Sequence, residues 1–402
     1  MTLRRRNLLA GLSSAAAPFP NTSSRAQSSM PVVRIGVLWD RSGIGAVTSG
    51  LDQIVAARLA IDDFGQFSRG YSIDLADAEF QRQPEQAEAI ARRWFERENV
   101  AVVVDLPGTV AAARVQEVAR GHNRTVINTG SFNDALTGAS CSPTASHWLE
   151  DTRALTMAMT LGLAAEGGKS WFLVVPDDVT GNAFQTDATA AIESTGGRVL
   201  GFSRHPADSG TFAPALTSAR DSGADAIGLC AFGNALTAQI KEARDLGLFD
   251  KNKAVCAYAA TIKDIHAIGP RDASGLWLVT GFYWNQNDRT RSFSRRFFEV
   301  TGRMPDKSYA ATYAAVGLFL RNVEVLDTID GAALNAGLRR VPVYFFGSAG
   351  QIRIDGTLLL DVGLYRVKPP DDVTESWDYY KPVRSILAAN VYRPPARRAC
   401  PL

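Results

Sequence analysis

Residues 32–58 read VVRIGVLWDRSGIGAVTSGLDQIVAAR, and this stretch determines the fold class. Val32 to Trp39 is an apolar run typical of a buried strand, and Asp40 to Gly45 is a short polar turn. The apolar residues that follow recur at helical spacing. They are Leu51, Ile54, Val55, Leu59 and Ile61. The stretch is therefore a strand–turn–helix unit.

Strand and helix patterns alternate along most of the chain. Apolar runs such as VAVVVD at 100–105 and SWFLVV at 170–175 are typical of parallel strands buried on both faces. The alternation predicts an α/β protein with doubly wound parallel sheets. In such sheets ligands bind beyond the carboxyl ends of the strands, where the strand order reverses. We therefore expect the turn at Ser42-Gly43 to face a ligand.

Breaks in the alternation predict two lobes that the chain connects three times. The pattern lapses between Gly138 and Glu150 and then restarts. Gly281 to Asn285 is a second predicted crossing, because the helices after it would suit a bare face of the first lobe. Pro342 to Gly350 is the third, and the hinges are expected near His147, Gly281 and Gly347. The predicted organisation is a signal peptide at 1–26, a first lobe at 32–146 and 281–346, a second lobe at 147–280 and 347–390, and a tail at 391–402.

The N-terminus has the pattern of an export signal. Three arginines, Arg4 to Arg6, precede a mostly apolar stretch, and Ser24-Arg25-Ala26 predicts cleavage after Ala26. Arg5 to Leu9 resembles the twin-arginine export pattern, with a Sec signal as the alternative. No later apolar run is long enough to span a membrane, and no cysteine precedes Cys141 to carry a lipid anchor. We expect a soluble periplasmic protein.

Composition excludes several kinds of partner. The formal charge of the 402 residues is +2, but without the four arginines of the predicted signal 39 basic residues face 41 acidic ones. Nucleic acid and anionic membranes call for a basic excess, so neither is an expected partner. The four cysteines are too few for a disulfide scaffold, and the four histidines are scattered singly. We expect no metal and no cofactor.

Two further turns follow predicted parallel strands. Leu106-Pro107-Gly108-Thr109 and Thr129-Gly130-Ser131-Phe132-Asn133 are rich in small and hydroxyl residues. Such turns can offer backbone N–H groups and hydroxyls to an acidic oxygen. The alternative is that they are ordinary strand-to-helix turns, which need Gly and Thr for geometry and capping.

Six segments resemble one protein family in their order and spacing. They are IGVLWDRSG at 35–43, AARLAIDDF at 56–64, VINTGSFNDALT at 126–137, GADAIGLCAFGN at 223–234, QIKEARDLGL at 239–248 and TYAAVGLFL at 312–320. With the export signal, they resemble periplasmic solute-binding proteins of ABC transporters, of the branched-chain amino acid type. The resemblance runs from about Val32 to Val367 and implies the type I periplasmic binding fold, with two lobes joined by three crossover segments.

The resemblance also implies a site and a mechanism. A ligand lies between the lobes, and closure around it is read by a membrane permease; the protein is expected to be a monomer and not an enzyme. The contacts carried over to this chain are Ser42, Gly108, Thr109, Gly130, Ser131, Phe132, Thr180, Phe232 and Tyr258. The small and hydroxyl residues of the first lobe would hold a carboxylate, the phenylalanines the ligand body, and Tyr258 would be a hydrogen-bonding wall.

One departure from the family pattern bears on the ligand. Amino-acid binders place an acidic residue near the position of Tyr258, but residues 257–260 read AYAA. A buried ammonium without an anionic partner costs several kcal/mol. Our hypothesis is a carboxylate ligand without a free α-amino group, and predicted cleft aromatics favour a flat or apolar body. These aromatics are Trp39, Phe132, Phe232, Tyr258, Tyr283 and Trp284, with core or hinge packing as the alternative.

Other interpretations remain open at this stage. Asp177, Asp178 or Asp264 could supply the missing acid, which would favour an amino acid ligand. A periplasmic sensor of the same fold would have the same sequence features. An enzyme on a doubly wound sheet is a remote alternative, because neither a complete G-x-G-x-x-G nor a G-x-S-x-G follows a predicted strand.

Overall fold

The computed structural model describes residues 31–41, 49–65, 70–206, 208–250 and 253–395. The predicted signal peptide, Ser42 and Cys400 lie outside the described residues. The strands are β1 Val32–Trp39, β2 Ser72–Glu79, β3 Val100–Asp105, β4 Thr125–Asn128, β5 Ala145–His147, β6 Ser170–Pro176, β7 Arg198–His205, β8 Ala226–Leu229, β9 Ala254–Ala257, β10 Trp277–Thr280, β11 Pro342–Phe345, β12 Ser348–Ile352, β13 Leu358–Leu359, β14 Val362–Val367 and β15 Tyr380–Ile386.

The helices alternate with these strands. They are α1 Leu51–Gly65, α2 Pro84–Arg97, α3 Thr109–Gly121, α4 Thr152–Ala164, α5 Val179–Ser194, α6 Ala213–Asp221, α7 Gly233–Asp245, α8 Ile262–Ile268, α9 Pro270–Ala273, α10 Asp288–Thr301, α11 Lys307–Leu326, α12 Gly331–Leu338 and α13 Ala388–Val391. The predicted α/β class with parallel-sheet lobes is confirmed.

Two large sheets form the two lobes. The first has the order β2-β1-β3-β4-β5 and is parallel throughout. The second has the order β15-β14-β10-β9-β8-β6-β7, in which β14 and β15 are antiparallel additions at one edge. The strand order reverses at β1 in the first sheet and at β6 in the second. The turns after these strands therefore lie where a doubly wound sheet binds ligands.

Helices from the second half of the chain complete the first lobe. α10 and α11 pack against α1. Small buried residues, among them Ala56, Ala60 and Ala311, let the helices approach closely. Ion pairs from Arg296 to Asp63 and from Arg303 to Asp52 add to this contact.

The third passage between the lobes lies later than the sequence predicted. β11 and β12 pair antiparallel on either side of the expected crossing at Gly347. Together with β13 they form a three-stranded sheet, which joins the first lobe through a bridge between His147 and Thr357. The chain enters the seven-stranded sheet only at Val362. Before that, ring contacts hold the β11–β12 hairpin to the first lobe: Phe346 packs on Phe293, and Phe345 packs on Phe282, which also contacts Phe293.

Strand β15 was not predicted. It lies at the sheet edge and its central residues are exposed, so it lacks the buried apolar run that identifies the other strands. Pro382 sits at an irregularity of its pairing with β14, where the missing N–H is tolerated.

Candidate functional site

A cleft of about 870 Å³ separates the lobes at the carboxyl ends of both sheets. Its first wall comes from the segments after β1, β2 and β3, and its second wall from those after β6, β8 and β9. An inner cavity of about 200 Å³ shares Gly108, Thr109 and Thr180 with the cleft. A third cavity of about 50 Å³ lies toward the hinge and shares Phe132 with the inner cavity. The three cavities therefore follow one another from the mouth of the cleft toward the hinge.

The loop before α3 is held in an unusual backbone conformation. Asp105, Leu106 and Gly108 have φ angles of 80°, 68° and 90°. Each non-glycine residue in such a region costs about 1–3 kcal/mol and persists only where its surroundings enforce it. The loop leads directly into α3, which begins without a side-chain cap. Within the described residues, the first N–H groups of α3 thus have no side-chain cap at the cleft wall.

The opposite wall has a matching feature. α7 begins after Phe232 without a side-chain cap, and Gly233 has a φ of 58°. In contrast, Asp178 caps α5 by accepting the N–H of Gly181 at 2.7 Å. Uncapped helices from both lobes thus begin in the same cleft, α2 and α3 from the first lobe and α7 from the second. Each presents the positive end of its dipole there.

Buried contacts behind the first wall fix the strained loop. The carboxyl of Asp105 accepts hydrogen bonds from Ser49 Oγ and from Gln53 Nε2, and its carbonyl accepts the N–H of Gly130 at 3.0 Å. A Cβ on Gly130 would overlap the Asp105 carboxylate and lie 2.9 Å from Pro107 N. Burial raises the pKa of Asp105. Gly130 therefore supports the loop from behind.

The turn after β4 lines the inner cavity. Ser131 is buried, its N–H donates to Asn128 Oδ1 at 3.1 Å, and its carbonyl accepts from His147 Nε2 at 2.7 Å. These bonds hold the Ser131 hydroxyl at the cavity wall, where Oγ accepts the N–H of Asn133 at 3.2 Å. Phe132 separates the inner cavity from the hinge cavity. The hydroxyl can still donate one hydrogen bond.

The sequence from 32 to 372 matches the periplasmic binding protein family. The chain belongs to this family. The match covers every strand of the two large sheets except β15. A comparison with curated proteins finds no match.

Solved structures agree with this assignment. The binding protein is 31% identical to a periplasmic binding protein from Burkholderia mallei, over 90% of this chain and 96% of that one, with a TM-score of 0.84. It is 29% identical to a branched chain amino acid ABC transporter periplasmic ligand-binding protein from Burkholderia xenovorans LB400, over 90% and 97% of the two chains, with a TM-score of 0.84. An ABC transporter solute binding protein from R. palustris in complex with 4-hydroxybenzoate is 18% identical over 89% and 97% of the chains, with a TM-score of 0.79, and shares the fold.

Most of the predicted site residues of the binding protein lie together. Gly108, Thr109, Thr180 and Phe232 line the cleft, and Ser131 and Phe132 line the inner cavity. Ser42 lies outside the described residues.

Tyr258 differs from its predicted role as a hydrogen-bonding wall. Its side chain is fully buried and stacks on Phe184 with ring centroids 5.8 Å apart. A Cβ on Gly228 would lie 2.7 Å from the Tyr258 hydroxyl, which has no hydrogen-bond partner among the described residues. The hydroxyl therefore points into the core of the second lobe, and Tyr258 lines the hinge cavity rather than the cleft. The sequence predicted that Tyr258 follows β9, but this position does not determine the direction in which its side chain points.

Three other predicted cleft aromatics have structural hydrogen bonds, and two of them, Tyr283 and Trp284, also line the hinge cavity. Trp39 is buried and donates to Asp77 at 3.1 Å. Tyr283 donates to Asp378 at 2.7 Å, and Trp284 donates to the carbonyl of Trp377 at 2.7 Å. Residues 281–285 and 375–381 thus pack on each other beside the second crossing.

The candidate acids for an ammonium are already engaged. Asp177 pairs with Arg204 at 3.3 Å, and Asp178 caps α5. Asp264 forms a capping box with Thr261 at the start of α8. Asp178 and Asp264 both line the cleft, and each uses one carboxylate oxygen for its cap, so the other oxygen is available to an ammonium. The argument from residues 257–260 therefore rests on those residues alone.

Sequence reasoning missed Lys263, which lines the cleft. The Thr261–Asp264 capping box could have identified it, because that pattern fixes the start of a helix after β9 and so brings Lys263 to the carboxyl edge of the sheet.

A buried ion pair joins the first two crossings. Lys307 Nζ lies 3.0 Å from Glu150 Oε1, and both side chains are less than one-tenth exposed. Nζ and Oε1 form an ion pair, but their geometry is not that of a hydrogen bond. A Cβ on Gly281 would collide with both groups. Glu150 precedes α4 of the second lobe and Lys307 begins α11 of the first, so the pair holds the hinge.

Acidic residues gather beside the inner cavity. Arg393 pairs with Asp134 at 3.1 Å and Asp187 at 3.3 Å, one from each lobe. Nearby Asp151 is buried and accepts the N–H of Ala154 at 2.7 Å as the cap of α4. Burial, reinforced by the charges of Asp134 and Asp187, raises the pKa of Asp151 to about 7.

This shift predicts a pH dependence of stability. The unfolded carboxyl titrates near 4, whereas the folded one keeps its proton up to about 7. The stabilisation is therefore complete below about pH 4 and is lost as the pH rises to about 7. We expect Asp151→Asn, which keeps a capping oxygen, to raise Tm relative to wild type at pH 7.5 but not at pH 4. Asp330→Asn, at the exposed cap of α12, is the control; an equal difference at both pH values for Asp151→Asn would contradict the assignment.

Three further observations concern metal ligands, cysteines and membrane helices in the described residues. In the described part of the chain, no three His, Cys, Asp or Glu side chains come together as a metal site. Cys230 and Cys256 are buried and free, and Cys141 is disulfide-bonded. No described helix has both the length and the apolar character that a membrane crossing needs.

Proposed function

We propose that this binding protein is the solute receptor of an ABC uptake system and that it binds a small carboxylate, aromatic-acid-like in body, between its lobes. The observation that carries the proposal is the pair of uncapped helices, α3 and α7, which begin on opposite walls of one cleft. Helix N-termini favour anions through both their free N–H groups and their dipoles. An anion between them would contact both lobes at once.

The residues have distinct proposed roles. Gly108, Thr109 and Ser131 would receive the carboxylate through N–H groups and hydroxyls, with Thr180 on the facing wall. Phe132 and Phe232 would pack against the body of the ligand. Ser42 remains part of the proposal through its place in the turn after β1. Tyr258 would contribute only its ring, and Gly130 would act through the loop that it supports.

Two of the similar proteins point to two different ligand classes, amino acids and aromatic acids. The Burkholderia xenovorans protein is named for branched chain amino acids, and the R. palustris protein holds 4-hydroxybenzoate. The sequence AYAA at 257–260 offers no acid directly after β9, which favours a ligand without an ammonium, whereas Asp178 and Asp264 on the cleft wall keep an amino acid possible as a ligand. An amino acid is the alternative that this argument ranks second.

The proposed mechanism is closure about the hinge. A ligand that contacts both walls stabilises the closed form relative to the open one by its extra contacts. The closed form would be recognised by a membrane permease after export through the N-terminal signal. A sensor of the same fold would use the same closure with a different partner. No step of this mechanism requires catalysis by the protein.

A thermal-shift screen tests the ligand class. The panel contains benzoate, 4-hydroxybenzoate, short-chain carboxylates, the matching amides, leucine and glutamate. A ligand that binds only the native state raises Tm by mass action. We expect a rise with at least one carboxylate that lacks an ammonium, and a smaller rise in Ser131→Ala and Phe232→Ala.

Ser218→Ala is the matched control for the serine variant, because Ser218 is exposed on α6, outside the residues that line the cleft. A rise with leucine or glutamate and with no simple carboxylate would contradict the proposed ligand class. An unchanged rise in both cleft variants would contradict the proposed site.

A further inference from the structure

We propose that Arg393, from the segment after α13, neutralises two carboxylates beside the inner cavity, Asp134 and Asp187, and thereby allows a ligand carboxylate to bind there. The inference rests on the proposed function and adds a positioning residue to it, because Arg393 acts on the ligand through these acids. Neither the sequence motifs nor the resemblance to the family pointed to this arginine.

An acidic residue lies on the wall of the inner cavity, close to the groups that would receive the carboxylate. Asp134 lines this cavity together with Thr109 and Ser131. The side chain of the preceding residue, Asn133, donates to the carbonyl of Thr109 at 3.2 Å. A negative charge at Asp134 would therefore oppose a ligand carboxylate at Thr109 and Ser131.

A second carboxylate lies directly behind the facing wall. Thr152 lines the inner cavity, and its hydroxyl donates to Asp187 Oδ2 at 2.6 Å. Burial raises the pKa of Asp187, and the hydrogen bond with Thr152 opposes this rise. The charge of Asp134 also raises that pKa, whereas the charge of Arg393 lowers it. The two carboxylates are thus close enough to act on each other.

Arg393 contacts both carboxylates. Its Nη2 lies 3.1 Å from Asp134 Oδ2 and 3.3 Å from Asp187 Oδ1. The backbone is fixed in this position, because Tyr392 is buried in the core of the second lobe and the carbonyl of Arg393 accepts a hydrogen bond from Arg353 Nη1 at 2.5 Å. Without the guanidinium, this side of the inner cavity would carry one more unit of net negative charge.

The other charged groups beside the cavity do not replace Arg393. Burial raises the pKa of Asp151 to about 7, so this carboxyl is only partly ionised at neutral pH. Arg153 acts on Asp187 more weakly than Arg393 does. In the described part of the chain, Arg393 is thus the main cation that offsets the two acids.

Calorimetric titration of two probes tests the inference. The probes are the carboxylate with the largest thermal shift and its own amide, which keeps the shape and loses the charge. We expect Arg393→Met to raise the Kd of the carboxylate about fivefold and that of the amide less than about twofold, because an added negative charge opposes a charged ligand over several ångströms. The difference between the probes should shrink as salt is added, since Arg393 is half-exposed and ions in solvent screen its charge.

Three further variants isolate the charge. Arg384→Met is the matched control, because Arg384 on β15 forms a similarly exposed ion pair with Glu166 at 2.8 Å, outside the residues that line the inner cavity. It should change neither Kd. The double variant Arg393→Met, Asp134→Asn also removes an acid, so carboxylate binding should return close to the wild-type value. Arg393→Lys keeps the charge and should have a smaller effect than Arg393→Met.

Equal weakening of both probes by Arg393→Met would show that the arginine holds the lobes together without selecting charge, and would overturn the inference. No weakening, or no recovery in the double variant, would also overturn it, and each of these results leaves the proposed function standing. If Arg393→Met does not fold, Asp134→Asn alone should strengthen binding of the carboxylate relative to the amide, and an unchanged ratio would contradict the inference. If no carboxylate binds the wild-type protein, the proposed function fails, and the inference falls with it.

Discussion

Replacement of Lys307 by methionine is expected to lower the free energy of unfolding by about 3–5 kcal/mol, because it leaves Glu150 charged, buried and unpaired. The pair sits on Gly281, so the first crossing, the second crossing and the start of α11 meet at one point. Loss of the pair should loosen the hinge as well as destabilise the fold. Urea denaturation of wild type and Lys307→Met measures the difference.

Two control variants isolate the cause. In the double variant Lys307→Met, Glu150→Gln no buried charge remains, and most of the lost stability should return. Arg92→Met breaks an exposed i,i+4 pair with Glu88 on α2 and should cost at most about 0.5 kcal/mol. A cost for Lys307→Met as small as that of Arg92→Met would show that the hinge pair is not a stabilising contact.

Gly130→Ala is expected to weaken ligand binding at least tenfold and to destabilise the protein by about 1–3 kcal/mol, as overpacking typically does. The added Cβ would overlap the Asp105 carboxylate and press on Pro107, so the loop that leads to Thr109 must move. The start of α3 would then lose its position in the cleft. Calorimetry with the best carboxylate and thermal denaturation measure the two effects.

Gly121→Ala is the matched control for this change. Gly121 ends α3, and a Cβ there would meet no neighbouring atom within 4 Å. Binding should therefore be unchanged. Full binding by Gly130→Ala would mean that the shape of the loop does not determine affinity.

Periodicity was sufficient to predict the alternation of strands and helices and the central parallel strands of both sheets, but not the edge strand β5, which lies within the predicted irregular segment 138–150. Buried parallel strands such as β3 and β6 are continuous apolar runs, so their positions could be derived from the sequence. β15 could not, because an exposed edge strand has no such run. The third passage was expected at Gly347 because a glycine turn is consistent with either a crossing or a hairpin. In the structure it is a hairpin, and Phe345 and Phe346 pack on aromatic residues that hold it to the first lobe.

The candidate site was predictable where backbone position determines it. Gly108, Thr109, Ser131 and Phe232 follow parallel strands, and the carboxyl edges of the sheets bring them to one cleft. Side-chain direction was not predictable in this way. Tyr258 follows β9 and yet points into the core beside Gly228, while Lys263, a few residues later, reaches across the cleft.

The central claim is that a small carboxylate binds between the two lobes. The most direct measurement is isothermal titration calorimetry of the purified protein with the carboxylate that the thermal screen identifies, with its amide and with leucine. We expect one binding site per chain for the carboxylate, at least tenfold weaker binding of the amide, and no binding of leucine. Tight one-to-one binding of leucine, with no heat from any carboxylate that lacks an ammonium, would contradict it.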